Sequence, residues 1–246
     1  MPQLDAFHWA LAGLCSLLAG FTKTGVPGLG ILIVPLFAEV LPAKASTGAL
    51  LPLLILGDVF AVLYYKRHAV WSHLVRLLPW AAAGIVIGWR LMGRIQDAQL
   101  KPILGGIVLA LLALSLWRER AKGRDAPVPD QWWVAAAIGL LAGVTTMLTN
   151  AAGAILVIFL TAMRLPKDEF LGTGSWYFLI LNLVKVPFSL SLGLITASSL
   201  LLDSALAGGV VLGAVAGIFV ARKVPQKAFG VVVQVLAGLS ALRMFF

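Results

Sequence analysis

Apolar runs with few charges follow one another along almost the whole chain, at approximately 6–21, 28–38, 45–65, 74–94, 99–117, 132–148, 151–163, 169–193, 198–221 and 228–246. A helix needs about 20 predominantly apolar residues to cross the hydrocarbon of a bilayer, and most of these runs come close to or exceed that length. Composition agrees: 61% of the 246 residues are hydrophobic and 12% charged, against about 45–50% and about 25% in ordinary soluble domains. A water-soluble fold of this size has no use for so much apolar surface. The expected fold is an all-α polytopic membrane protein.

The excess of 19 Lys and Arg over 10 Asp and Glu could suggest nucleic acid as a partner. The basic residues, however, sit in short clusters between apolar runs, which is how cytoplasmic loops read in a membrane protein. The expected partners are therefore the lipid bilayer and a small solute, with no nucleic acid. One cysteine, Cys15, excludes an internal disulfide and a cysteine metal cluster. His8, His68 and His73 lie at the edges of runs and form no ligand-spaced set, so neither metal nor cofactor is expected. No cleavable signal is apparent, because the first run continues into a Gly-rich break rather than a small-residue cleavage site.

The one strongly polar stretch, Arg118 to Asp130, falls at mid-chain and prompts a search for repetition. Leu18-Ala19-Gly20 matches Leu141-Ala142-Gly143, and Gly30-Ile31-Leu32-Ile33-Val34 matches Gly153-Ala154-Ile155-Leu156-Val157, both at a shift of 123. One residue later in register, Leu41-Pro42 matches Leu165-Pro166, and Leu54 to Asp58 lies over Phe178 to Asn182. Gly84 to Gly88 resembles Gly213 to Gly217, and Leu112 to Arg118 resembles Ala237 to Arg243. Six matches in one order point to duplication. The expected division is a first repeat over 1–117, a linker over 118–130 and a second repeat over 131–246.

Each repeat starts oddly. The runs 28–38 and 151–163 are short of a full crossing, and each follows a helix-breaking tip: Thr22-Lys23-Thr24-Gly25-Val26-Pro27-Gly28 and Thr145-Thr146-Met147-Leu148-Thr149-Asn150. Pro27 and the glycines stop a helix, and irregular backbone survives inside a membrane only where protein or a watery cavity satisfies it. Each pair therefore reads as a membrane-embedded helical hairpin that enters and leaves by the same face, followed by three transmembrane helices. That topology puts 12 basic residues on one face and 5 on the other, with Lys23 and Lys185 left inside the membrane. Treating each hairpin as one broken crossing gives 8 against 9. The positive-inside rule prefers the first arrangement. Each repeat then crosses an odd number of times, so the two are inverted, with a cytoplasmic linker and both termini outside.

Inverted repeats with discontinuous helices at the midplane are the architecture of secondary transporters. Residues 28–31 and 151–154 open half-helices whose unpaired N–H groups and positive dipole ends converge on the centre, and such ends bind anions. Lys23 and Lys185 add positive charge. Thr22, Thr24, Thr145, Thr146, Thr149 and Asn150 offer neutral donors suited to oxyanion oxygens. The expected site comprises Lys23, Thr24, Gly28, Thr145, Thr146, Thr149, Asn150, Asn182 and Lys185, and its substrate is a small anion. Plainer readings stand beside these. Lys23 could snorkel from a shallow tip, and Lys185 could simply pair with Asn182 one turn back. Asp58, at the repeat position of Asn182, is a coupling carboxylate, a lysine counter-ion or a structural group. Gly84 and Gly88, like Gly209, Gly213 and Gly217, read as packing surfaces. Tyr64, Tyr65, Trp71, Trp117, Trp132 and Trp133 read as interfacial anchors.

These residues resemble the sulfite exporter TauE/SafE family of membrane permeases along essentially the whole chain. The first half carries Ala19-Gly20-Phe21, Gly25-Val26-Pro27-Gly28-Leu29-Gly30, Val34-Pro35, Ala45-Ser46-Thr47-Gly48 and Gly57-Asp58 ahead of Tyr64-Tyr65-Lys66-Arg67. The second carries Ala142-Gly143, Thr145-Thr146-Met147, Asn150-Ala151-Ala152-Gly153, Leu165-Pro166-Lys167, Gly172-Thr173 and Asn182-Leu183-Val184-Lys185-Val186-Pro187. Its second tip holds fewer glycines than many members have. The resemblance implies export of sulfite or small organosulfonates across a bacterial inner membrane; the anion preference comes from the residues, the sulfur chemistry and the direction from the family. Alternatives are an importer of thiosulfate or another small anion, or a passive anion channel with the same cationic lining. An intramembrane enzyme would need a nucleophile with its base, or metal ligands, at membrane depth, and this chain offers neither.

Overall fold

A computed structural model describes residues 4–27, 30–94, 132–150 and 152–223, with Pro225 and Val235 besides. The expected spans 99–117 and 228–246 and the linker 118–130 lie outside the described residues. Every regular element among the described residues is helical: α1 (Ala6–Thr24), α2 (Gly30–Val40), α3 (Ala43–Tyr65), a 3-10 turn (Lys66–His68), α4 (Trp71–Met92), α5 (Trp132–Thr149), α6 (Gly153–Ala162), α7 (Lys167–Ser191) and α8 (Ala197–Lys223). The all-α polytopic membrane class is the one observed. Helices α4, α5 and α8, and α3 with the turn that follows it, are long and apolar enough to cross a membrane.

Local chemistry sets the element ends. Asp5 caps α1 by accepting the backbone N–H of His8 at 2.8 Å, as N-cap carboxylates do. At the other end the Gly25 N–H donates to the Phe21 carbonyl at 2.8 Å, and Pro27 follows. Helix α5 stops where Asn150 turns left-handed at φ 57°, a conformation that asparagine tolerates better than most residues. The helices after the two tips, α2 and α6, have 11 and 10 residues. At about 1.5 Å per residue each is about 15 Å long, half of a hydrocarbon core of about 30 Å.

Packing pairs the start of each half with the other half. Helix α1 lies along α8 and α5 along α4, each pair in parallel and at glycine-limited separation. A Cβ on Gly20 would strike the Val210 carbonyl, and one on Gly143 would come within 2.9 Å of Gly84 Cα. Close backbone approach of this kind is what small residues permit between membrane helices. Helices α3 and α7 run antiparallel, with Gly172 beside Tyr65 and Gly48 beside Leu194. Helix α7 runs parallel to α4, joined by Val70 N–H to Thr173 Oγ1 at one end and Trp89 Nε1 to Ser191 Oγ at the other. One apolar cluster gathers side chains of α4, α5, α6 and α7, and a second gathers those of α1, α2, α3 and α8.

The aromatic anchors divide. Tyr64, Trp71, Trp132 and Trp133 are exposed, but Tyr65 is buried, which corrects its reading as an anchor. Its hydroxyl donates to the Thr24 carbonyl at 2.9 Å, satisfying an acceptor that the end of α1 leaves open. Trp117 lies outside the described residues.

Candidate anion site

The two tips and the facing helices α3 and α7 enclose a cavity of about 60 Å³, on the order of four waters by the same measure. Its lining follows the repeat. Lys23 and Thr146, Pro27 and Asn150, Gly30 and Gly153, and Val34 and Val157 all line it, and each pair is related by the shift of 123. At the later register Leu50 and Gly174, Leu54 and Phe178, and Asp58 and Asn182 line it as well. Positions that correspond in sequence thus converge on one space.

Its charges are arranged unequally. Lys23 Nζ lies 2.8 Å from Asp58 Oδ1 and 4.3 Å from the centre of the Phe178 ring, within the range at which a ring face attracts a cation. Asn182 Nδ2 donates to Asp58 Oδ2 at 2.6 Å, so the repeat-equivalent pair meets directly across the cavity. Of the three readings of Asp58, the geometry makes it the counter-ion of Lys23. Lys185, 1% exposed, donates to Asn150 Oδ1 and stands 3.4 Å from Thr146 Oγ1. Among the described residues no carboxylate lies within ion-pair distance of it. Lys185 sits behind the lining, held by two residues that belong to it. Asn150 also donates through Nδ2 to the Thr47 carbonyl at 2.8 Å, which ties the second tip to α3.

The half-helices open onto this space. Gly30 and Gly153 are lining residues, and α6 begins without a side-chain cap. Its first N–H groups therefore have no partner from their own helix and favour negative charge. The Thr146 hydroxyl, which accepts from Lys185, keeps its own proton to donate, whereas Thr22 donates to the Ala19 carbonyl at 3.2 Å.

Of the residues expected from sequence, Lys23, Thr146, Asn150, Asn182 and Asp58 line the cavity and Lys185 abuts it. Thr24, Thr145 and Thr149 do not line it. Thr24 donates to the Ala214 carbonyl at 2.6 Å and Thr149 to the Thr145 carbonyl at 3.3 Å. The reason is helical phase: a step of one residue is 100°, so 145 and 149 share a face that 146 does not. Gly28 lies outside the described residues. Leu54, Phe178, Gly30 and Gly153 line the cavity as well, outside the site expected from sequence. The signal was present in the repeat alignment, which pairs Leu54 with Phe178 and Gly30 with Gly153.

The family model of the sulfite exporter TauE/SafE matches residues 12–244. No curated protein and no solved structure matches the chain. With nearly its whole length matched, the chain belongs to the TauE/SafE sulfite exporter family and is a membrane transporter of sulfur anions.

Proposed function

We propose that the protein is a secondary transporter that exports sulfite or a small organosulfonate across the inner membrane by alternating access between two inverted repeats. The observation that carries this reading is the cavity lined by repeat-equivalent residues of both tips and of α3 and α7. Support for inversion comes from direction: α1 and α5, α3 and α7, and α4 and α8 hold corresponding places, and the members of each pair run oppositely. A site on such a pseudo-symmetry axis can be opened to either face by rocking one half against the other.

The chemistry fits a small oxyanion. Lys23 is already neutralised by Asp58, so Lys185 is the cation left for the substrate, and its neutral partners Asn150 and Thr146 can turn toward the same oxygens. Donors at the start of α6 open onto the same space. A hydrogen bond to a charged group contributes about 1.5–3 kcal/mol, so losing one lowers affinity by roughly ten-fold to a hundred-fold. In proteoliposomes, Lys185→Ala and Asn150→Ala lose flux of labelled sulfite by that factor or more while remaining folded. Unchanged flux in both variants overturns the site. Unitary currents in a planar bilayer would replace alternating access with a channel.

A further inference from the structure

Outside the cavity, a second carboxylate is buried at membrane depth. Asp203 lies at the seventh position of α8, about 9 Å along the axis from the helix start by the rise of an α-helix. It is 5% exposed, and among the described residues neither of its oxygens has a hydrogen-bond partner. Among the described residues no basic side chain forms an ion pair with it. Its neighbours on α8, Leu202 and Leu206, are packed with Ala12 and Cys15 of α1 in one apolar cluster.

The charged and titratable groups of the helices packed against α8 do not compensate it. On α1 these are Cys15, Lys23 and His8, the last paired with Asp5 ahead of the helix; on α3 they are Lys44, Asp58, Tyr64 and Tyr65, the tyrosines at the end of α3 far from Asp203. His8 is engaged with Asp5, and Lys23 with Asp58. Arg222 and Lys223 stand at the far end of α8. A metal ion needs several oxygen ligands, and the apolar cluster around Asp203 supplies none beyond its own two. A proton needs only one oxygen and removes the charge that burial penalises. Buried ionisable residues of this kind in membrane proteins mark ion pathways and proton relays.

We propose that Asp203 is a proton-binding site, distinct from the anion cavity, through which anion transport is coupled to the proton gradient. The inference rests on the transport reading above. The link to the cavity is structural: beyond Asp203, Gly209, Gly213 and Gly217 of α8 bear directly on α1, and α1 ends in the tip that carries Lys23. Charging or neutralising Asp203 changes the contact between α8 and α1 and so biases the position of that tip.

The test uses the full chain in proteoliposomes with labelled methanesulfonate, an anion that stays ionised across the working pH range, so that pH acts only on the protein. Homoexchange at symmetric pH reads anion translocation; net flux under an imposed pH gradient reads coupling. The wild type accelerates several-fold under the gradient. Asp203→Asn keeps homoexchange within about two-fold and loses the acceleration, while Asp203→Glu retains it. Equal acceleration in Asp203→Asn and wild type overturns the proposal, as does a wild type with intact homoexchange and no response to the gradient. Loss of homoexchange in both variants also overturns it, because the role is then structural. Infrared difference spectra between acid and alkaline buffer decide the matter without transport. A carboxylic-acid C=O band present in the wild type and lost in Asp203→Asn supports the site, and a band unchanged by the substitution overturns it. Absence of homoexchange in the folded wild type strikes the proposed function alone, and the infrared result then still decides on Asp203.

Discussion

Lys23 and Asp58 illustrate how a buried pair constrains a site. Replacing a whole ion pair with apolar groups is often tolerated, whereas removing one partner strands the other and costs about 3–5 kcal/mol. Asp58→Asn should therefore lower the unfolding temperature in detergent markedly, because it leaves Lys23 beside Phe178 with no counter-charge. Lys23→Met combined with Asp58→Asn should recover a large part of that loss. Additive effects of the two substitutions would show that the pair is not coupled. Asp58, Asn182 and Lys185 were legible as charged or polar residues inside apolar runs, and Lys23 as the cation of the first tip. Their pairing was not. Asn182, one turn from Lys185, is the partner that local spacing suggests, yet it donates to Asp58, while Lys185 reaches Asn150. Helix spacing specifies neighbours on one helix only, and both of these contacts join different helices.

At the scale of elements, glycines set how closely the helices approach. A Cβ added to Gly20 would meet the backbone of α8, and one added to Gly143 would meet the backbone of α4, whereas Gly13 has nothing within 4 Å of that position. Gly20→Val and Gly143→Val should each destabilise the protein by about 1–3 kcal/mol, the usual range for overpacking. Gly13→Ala should be neutral or stabilising by about 0.5–1 kcal/mol through helix propensity. Thermal unfolding of the three purified variants checks the contrast, and equal effects would contradict the assigned packing. The half-helices α2 and α6 were readable from run length and from the breakers that precede them, since those signals are local. Spacing of Gly209, Gly213 and Gly217 marked a packing face but not its partner. That α8 turns this face to α1 is a long-range contact.

For the whole molecule, the directions of the helices place Lys66, Arg67, Lys167, Arg222 and Lys223 at one end and Lys44, Arg90 and Arg94 at the other. Arg222 Nε donates to Tyr64 Oη at 2.6 Å and Lys167 Nζ to the Ala221 carbonyl at 2.5 Å, drawing α3, α7 and α8 together at the basic end. By the positive-inside rule we propose that this end faces the cytoplasm. In a Cys15→Ala background, Asp5→Cys and Ser198→Cys should react with a membrane-impermeant maleimide added to intact cells. Arg67→Cys and Asp168→Cys should react only after permeabilisation. The reverse pattern would invert the topology.

Sequence alone determined the membrane class and the short helices that follow the two tips, and it raised the expectation of a duplication and an anion-favouring centre, because hydropathy, helix breakers and repeats are properties of neighbouring residues. Tertiary structure decided which equivalent residues share the cavity, that Asp58 neutralises Lys23, and that Lys185 is left with neutral partners. It also decided that Asp203, one carboxylate among several in the sequence, is buried without a partner among the described residues. Those facts depend on which helix faces which across the two halves, and chain spacing does not carry that information.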